Sequence, residues 1–191
     1  KTVYAASGKP YFLRDNITPE KKFPGRQNGG MILSADFELA WAFRYSREFA
    51  DPYDSSLEKA RQARKNFPVL LELFEKFETP ITWATVGHLF LHECKKNTHD
   101  WMNRIPYFKN RCWIFNEGDW FDHDPHTNWE QDPEWYAPDL IEMILTSSID
   151  HELGSHTFSH VDFSYQNCPP EVAEDEISAS IDSMNSYGIR P

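Results

Sequence analysis

Two histidines four residues apart, His156 and His160, close the run His151-Glu152-Leu153-Gly154-Ser155-His156-Thr157-Phe158-Ser159-His160. Neutral imidazole binds divalent metals, and residues at this spacing share a face if their segment is helical. The spacing alone is weak, because His88 and His92 repeat it and His123 and His126 form a third pair. His88 and His92 are expected on a helix after the second strand, at solvated or capping positions. His123 and His126, beside Asp119, Asp122 and Asp124, are expected in a polar surface loop, with an accessory cation as the lesser reading. Context separates His156 and His160 from both: a strand with Gly154 at its end, a tight turn at Ser155, then hydroxyls at Thr157 and Ser159. The alternative for this pair is a buried, hydrogen-bonded couple with no ion.

Asp36-Phe37-Glu38 supplies two carboxylates where an apolar run ends. In a strand, alternation points residues two apart to the same side. One acid can then ligate a metal while the other stays free to take a proton from water, the division that metal-assisted hydrolysis needs. The residue types do not say which does which. An acidic loop facing solvent is the competing reading.

These groups depend on the elements that hold them. Met31-Ile32-Leu33-Ser34-Ala35 is the first expected strand. Leu57, Ala60, Phe67, Leu70, Leu71, Phe74 and Phe77 recur at helical spacing between Ser56 and about Glu78, an amphipathic helix with a bend expected near Pro68. Pro80 to Gly87 follows as a second strand, with a short helix from about His88. Ala137 to Leu145 is a further helix and Ile149 to Ser155 a third strand. Pro170 to Tyr187 is an acidic helix carrying Val172, Ile177, Ile181 and Met184. Alternation of this kind predicts an α/β domain with a parallel sheet or barrel, in which chemistry gathers at the carboxyl ends of the strands. Asp36, Glu38 and the histidine run all fall at such ends.

Residues 1–30 mix prolines and glycines with lysines and lack a sustained period, which predicts an arm packed across the domain. A long insertion at about residues 100–136 holds Trp101, Trp113, Trp120, Trp129 and Trp135. Sugar rings stack on tryptophan while acids and amides bind their hydroxyls. Trp120, Trp129, Trp135 and Tyr136 beside Asp122, Asp124 and Asn128 are therefore candidates to wall a carbohydrate cleft. Packing of the loop onto the domain explains the same residues equally well. Trp41, close after Glu38, has the stronger positional claim to contact a substrate.

The whole-chain properties narrow the partners. A length of 191 residues suits one domain, and a net charge of -11 at pH 7 opposes nucleic acid or an anionic membrane as the main partner. Three cysteines, Cys94, Cys112 and Cys168, without CxxC spacing, give neither a disulfide framework nor a thiolate zinc site, and free thiols are expected. No apolar stretch approaches the ~20 residues of a membrane span, and the first residues lack a signal-peptide core. A soluble chain of unassigned compartment is the expectation.

Ser34-Ala35-Asp36-Phe37-Glu38, Thr82-Trp83-Ala84-Thr85-Val86-Gly87 and His151 to His160 occur in the order found in the polysaccharide deacetylase (NodB-homology) family, which this chain resembles from about Met31 to its end. The resemblance implies a distorted (β/α) barrel and metal-dependent removal of acetyl groups from carbohydrate, N-acetyl before O-acetyl. It implies Asp36 as general base, with Glu38, His156 and His160 as ligands of a divalent ion, zinc first and cobalt, manganese or nickel behind it. The family's later arginine-proline-aromatic, acidic and histidine motifs have no counterpart here, so the expectation is the N-terminal half of such a barrel, without its general acid. Substrate contacts are expected from Trp41, Trp120 and Asp122. Two other functions stay open: a metal hydrolase of a small cyclic amide or ureide, and a non-catalytic carbohydrate-binding domain.

Overall fold

The structure is a computed structural model in which residues 30–45, 53–96, 98, 124–163 and 168–190 are described. The N-terminal arm expected over residues 1–30 lies almost wholly outside them, as do Trp120, Asp122, His123 and Cys112.

Three short strands, β1 (Ser34–Phe37), β2 (Thr82–Thr85) and β3 (Glu152–Ser155), form one parallel sheet in the order β1-β2-β3. Parallel neighbours need crossover connections, and helices supply them. Leu39–Tyr45, a 3-10 helix, and α1 (Tyr53–Lys76) lie between β1 and β2; the 3-10 turn Gly87–Phe90 and α2 (Pro138–Thr146) lie between β2 and β3; α3 (Pro170–Ser186) follows. The alternation expected from the sequence is present as an α/β arrangement.

The first strand begins three residues later than the apolar run suggested. Met31 and Ile32 are 81% and 74% exposed, and pairing starts at Ser34, opposite Thr82. This shift brings Asp36 into the strand itself. Its pairing row across the sheet is Asp36, Ala84 and Gly154. Residues in one row point to one face, so two small neighbours leave room beside the Asp36 carboxylate.

The core packs chiefly beneath β1 and β2. Phe37 and Phe67 rings stack at 4.9 Å, and Trp83 meets Phe67 at 4.9 Å and Phe37 at 6.1 Å. α1 runs without a break through Pro68. Leu57, Ala60, Phe67 and Leu71 face inward, whereas Leu70 and Phe77, assigned to the same face by their period, are exposed. Arg64 of α1 makes a two-pronged ion pair with Asp139 at 2.6 and 2.7 Å and donates to the Tyr136 carbonyl. Arg61 reaches Glu134 at 2.7 Å. Together they clamp the stretch that carries Trp135 and Tyr136.

α3 buries only part of its apolar set. Val172, Glu176, Ser180, Ser183 and Met184 are buried, while Ile177 and Ile181 are exposed. The inward face is partly polar because it holds a loop by hydrogen bonds.

Candidate metal centre and a second buried cluster

β1 and β3 are the outer strands, so their carboxyl ends stand about 10 Å apart, two interstrand spacings. Long side chains from each can meet above the end of β2. Glu38 follows β1 directly, and Leu39 after it adopts a left-handed backbone with φ 48°. His156 follows β3 and donates its backbone N–H to the Thr85 carbonyl at 2.9 Å, which holds it beside the end of β2.

The His156–His160 segment is not helical. Thr157 and His160 both have φ 63°, a conformation that a β-branched residue such as threonine rarely adopts. Such strain persists only where surrounding contacts enforce it. The contacts here are specific. Gly87 N–H donates to the Thr157 carbonyl and His88 N–H to that of Phe158, each at 2.8 Å. From the other side, the buried Glu176 carboxylate of α3 accepts from the Phe158 N–H at 3.0 Å, the Ser159 N–H at 2.9 Å and the Ser159 hydroxyl at 2.8 Å. The loop is thus fixed between the turn after β2 and a charged anchor, and the two histidines converge through loop shape rather than helical period.

Glu38 Oε1 lies 2.8 Å from His156 Nε2 and 3.2 Å from His160 Nε2, and the two rings are 5.0 Å apart. One carboxylate with two imidazoles is a donor set suited to zinc and its neighbours. His160 Nδ1 lies 3.1 Å from the Trp41 carbonyl, which only accepts, so Nδ1 carries the proton and a neutral ring offers Nε2 as its lone pair. That lone pair points at Glu38, a juxtaposition requiring either a second proton on the ring or a cation between the two. Burial works to raise the Glu38 carboxyl, but hydrogen bonds and charge from His156 and His160 outweigh it and leave it at about 2, from an ordinary 4.5. For His156, the hydrogen bond to Glu38 raises the ring above its ordinary value against the effect of burial, and the charges of Glu38 and Asp36 add to it. Asp36 is exposed, with its carboxylate within electrostatic reach of His156.

Other expected site residues fare differently. Trp41 has no exposed surface: its ring packs against His88 at 4.6 Å and its Nε1 donates to the Trp135 carbonyl at 3.3 Å. Its indole therefore cannot stack on a substrate, and its contribution to the centre is the carbonyl that orients His160. Trp135 and Tyr136 are likewise buried, so their rings cannot stack on a sugar. Trp120 and Asp122 lie outside the described residues. His151 faces the core, 6.2 Å from the rings of both Phe74 and Trp83, and accepts the Ile81 N–H at its Nδ1.

A second group forms around Asp124 and His126, where an accessory cation was the lesser expectation, but with His88 and Cys94, which were not expected there. His88 is fully buried, not solvated, and its Nε2 lies 3.3 Å from Asp124 Oδ2, itself buried. Cys94 completes a set of three buried donor residues whose ligand atoms all lie within 4.8 Å of one another. Burial works to raise the Asp124 carboxyl, yet His88 and His126 drive it well below the ordinary range, while burial and the Asp124 charge push the Cys94 thiol far up. The described residues therefore contain two groups able to hold a metal ion.

Comparison with protein-family models, with curated proteins and with solved structures returns no match.

Proposed function

We propose that this chain is a metal-dependent hydrolase of the polysaccharide deacetylase type, removing acetyl groups from a carbohydrate, with acetamide preferred over acetyl ester. Glu38, His156 and His160 would hold the divalent ion, zinc before cobalt, manganese or nickel, and the fold would be of the distorted (β/α) barrel type. The observation that carries this reading is the convergence of Glu38, His156 and His160 at the carboxyl edge of a parallel sheet, with a second carboxylate, Asp36, two residues before Glu38.

A bound ion of this kind supplies Lewis acidity toward a carbonyl oxygen and toward water. The chain's own groups supply the rest. Asp36, exposed beside the small residues Ala84 and Gly154, accepts the proton of the attacking water at a carboxylate oxygen. Two imidazoles face Glu38 and hold its carboxyl at about 2, so it is ionised and able to act as a ligand at neutral pH. The Trp41 carbonyl fixes the tautomer of His160, and Glu176 holds the histidine loop rigid, which preserves donor geometry during turnover.

Acetate release from an acetylated amino-sugar oligomer, measured with zinc added, tests the reading. Turnover that disappears in Asp36→Asn while bound zinc is retained supports it. Equal turnover in Asp36→Asn, or acetate release that survives chelation of the metal, overturns it.

A further inference from the structure

The second cluster is wider than its three fully buried members. His126 Nδ1 lies 3.6 Å from Asp124 Oδ2 and 3.8 Å from Cys94 Sγ, at the edge of the His88, Cys94 and Asp124 set whose ligand atoms all lie within 4.8 Å of one another. With zinc bonds of about 2.0–2.1 Å to nitrogen or oxygen and about 2.3 Å to sulfur, a tetrahedron separates nitrogen from oxygen by about 3.4 Å and sulfur from nitrogen by about 3.6 Å. The three measured separations, 3.3, 3.6 and 3.8 Å, fall close to those values.

The groups around the donors are arranged as metal sites require. His88 Nδ1 lies 3.4 Å from the Trp135 carbonyl, and with a proton on that side Nε2, the nitrogen facing Asp124, would be the one to take the metal. Asp124 uses Oδ1 to accept from the His126 N–H at 2.9 Å and the Tyr136 hydroxyl at 3.3 Å. Its other oxygen, Oδ2, is buried and faces His88 Nε2 at 3.3 Å and His126 Nδ1 at 3.6 Å. A buried carboxylate oxygen in that position is costly unless a cation neutralises it.

We propose that His88 Nε2, Cys94 Sγ and Asp124 Oδ2 form a structural zinc site, separate from the Glu38 centre and independent of its function, which the partly exposed His126 ring completes by moving in from its edge. With His126 moved in, all four positions are protein donors, which leaves no place for water or substrate, as in closed structural sites. Its place in the fold gives it a task. Cys94 and Asp124 stand on the two sides of residues 99–123, and the flanking chains pair there through the Glu93–Asn128 bridge, Cys94 N–H to Thr127 carbonyl and Trp129 N–H to His92 carbonyl, both 3.0 Å. A bound ion would tie that junction to the turn after β2, the same turn that holds the histidine loop of the first centre. Binding releases the Cys94 proton to solvent and leaves a thiolate on the metal.

Cobalt(II) added to the metal-stripped full chain separates this site from the other, because Glu38, His156 and His160 include no sulfur. The expected result is a near-ultraviolet thiolate-to-cobalt band that is kept in Glu38→Gln and lost in Cys94→Ser. A saturated wild-type chain without that band, or a band undiminished by Cys94→Ser, overturns the proposal. Should Cys94→Ser fail to fold, His126→Ala serves, since its ring is partly exposed. Cobalt affinity at the thiolate band should fall by more than the roughly 10–100-fold typical of losing a supporting contact, and unchanged affinity overturns the site.

Discussion

The Nδ1 atom of His160 lies 3.1 Å from the backbone carbonyl oxygen of Trp41. A carbonyl cannot donate, so the ring's proton is committed to that side and Nε2 is left facing Glu38. Nitrogen NMR of the zinc-loaded chain should therefore show His160 protonated at Nδ1 and unprotonated at Nε2. A ring protonated at Nε2 in that state would mean that it is not a ligand.

Asp36 and Glu38 lie two residues apart and are assigned opposite tasks. Asp36→Asn should lower turnover by roughly 10²–10⁴-fold, the usual contribution of a positioned base, with metal content unchanged. Glu38→Gln should lower both together. Metal loss in the Asp36 variant alone would exchange the two roles.

Glu176 receives three donors from the histidine loop and touches neither His156 nor His160 in those contacts. Glu176→Ala would leave two buried backbone N–H groups without their acceptor, at about 1–3 kcal/mol each. Urea unfolding should show a loss of about 2–6 kcal/mol, accompanied by weaker metal binding. Glu176→Gln, which keeps an acceptor oxygen, should lose less.

Gly87 is needed for close approach. A Cβ at this position would lie 3.1 Å from the Cα atoms of Phe158 and Ser180, and backbone cannot swing aside as a side-chain tip can. Gly87→Ala should destabilise the fold by about 1–3 kcal/mol, the range typical of overpacking, measurable by urea unfolding. A neutral result would mean that the turn and α3 separate freely.

In the metal-free chain, stability should follow the Glu38–His156 pair. Glu38 is depressed, so its contribution is complete above its ordinary 4.5 and fades as pH falls toward about 2. His156 is raised, so its contribution is complete below its ordinary 6.5 and fades as pH rises through the higher folded value. The stability difference between the chain and Glu38→Gln should be largest between these limits and shrink on both sides. A difference that keeps growing at alkaline pH would exclude the pair as its source.

Much of this arrangement is legible in the residues. Strand, helix and strand alternate as the apolar periods suggest, and Glu38, His156 and His160 do converge. What the periods missed has a common cause, polar groups used internally. α3 turns Glu176 and Ser180 inward and leaves Ile177 and Ile181 outside, because a loop needing an anchor outweighs two apolar side chains. His88 looked like one of a solvated pair, yet its burial follows from Asp124, a partner 36 positions away that no local pattern reveals. Each of the two discounted histidine pairs contributes one member, His88 or His126, to the second cluster. The left-handed Thr157 was equally hidden, since it is imposed by hydrogen bonds from Gly87 and around Glu176 and not by its own preference.

The central claim is that Glu38, His156 and His160 hold a divalent ion. Elemental analysis of the dialysed chain beside a His156→Ala, His160→Ala double variant tests it most directly. The variant should carry one equivalent of metal fewer while its far-ultraviolet circular dichroism stays the same. Identical metal content in the two proteins, or none in either after zinc loading, would contradict it.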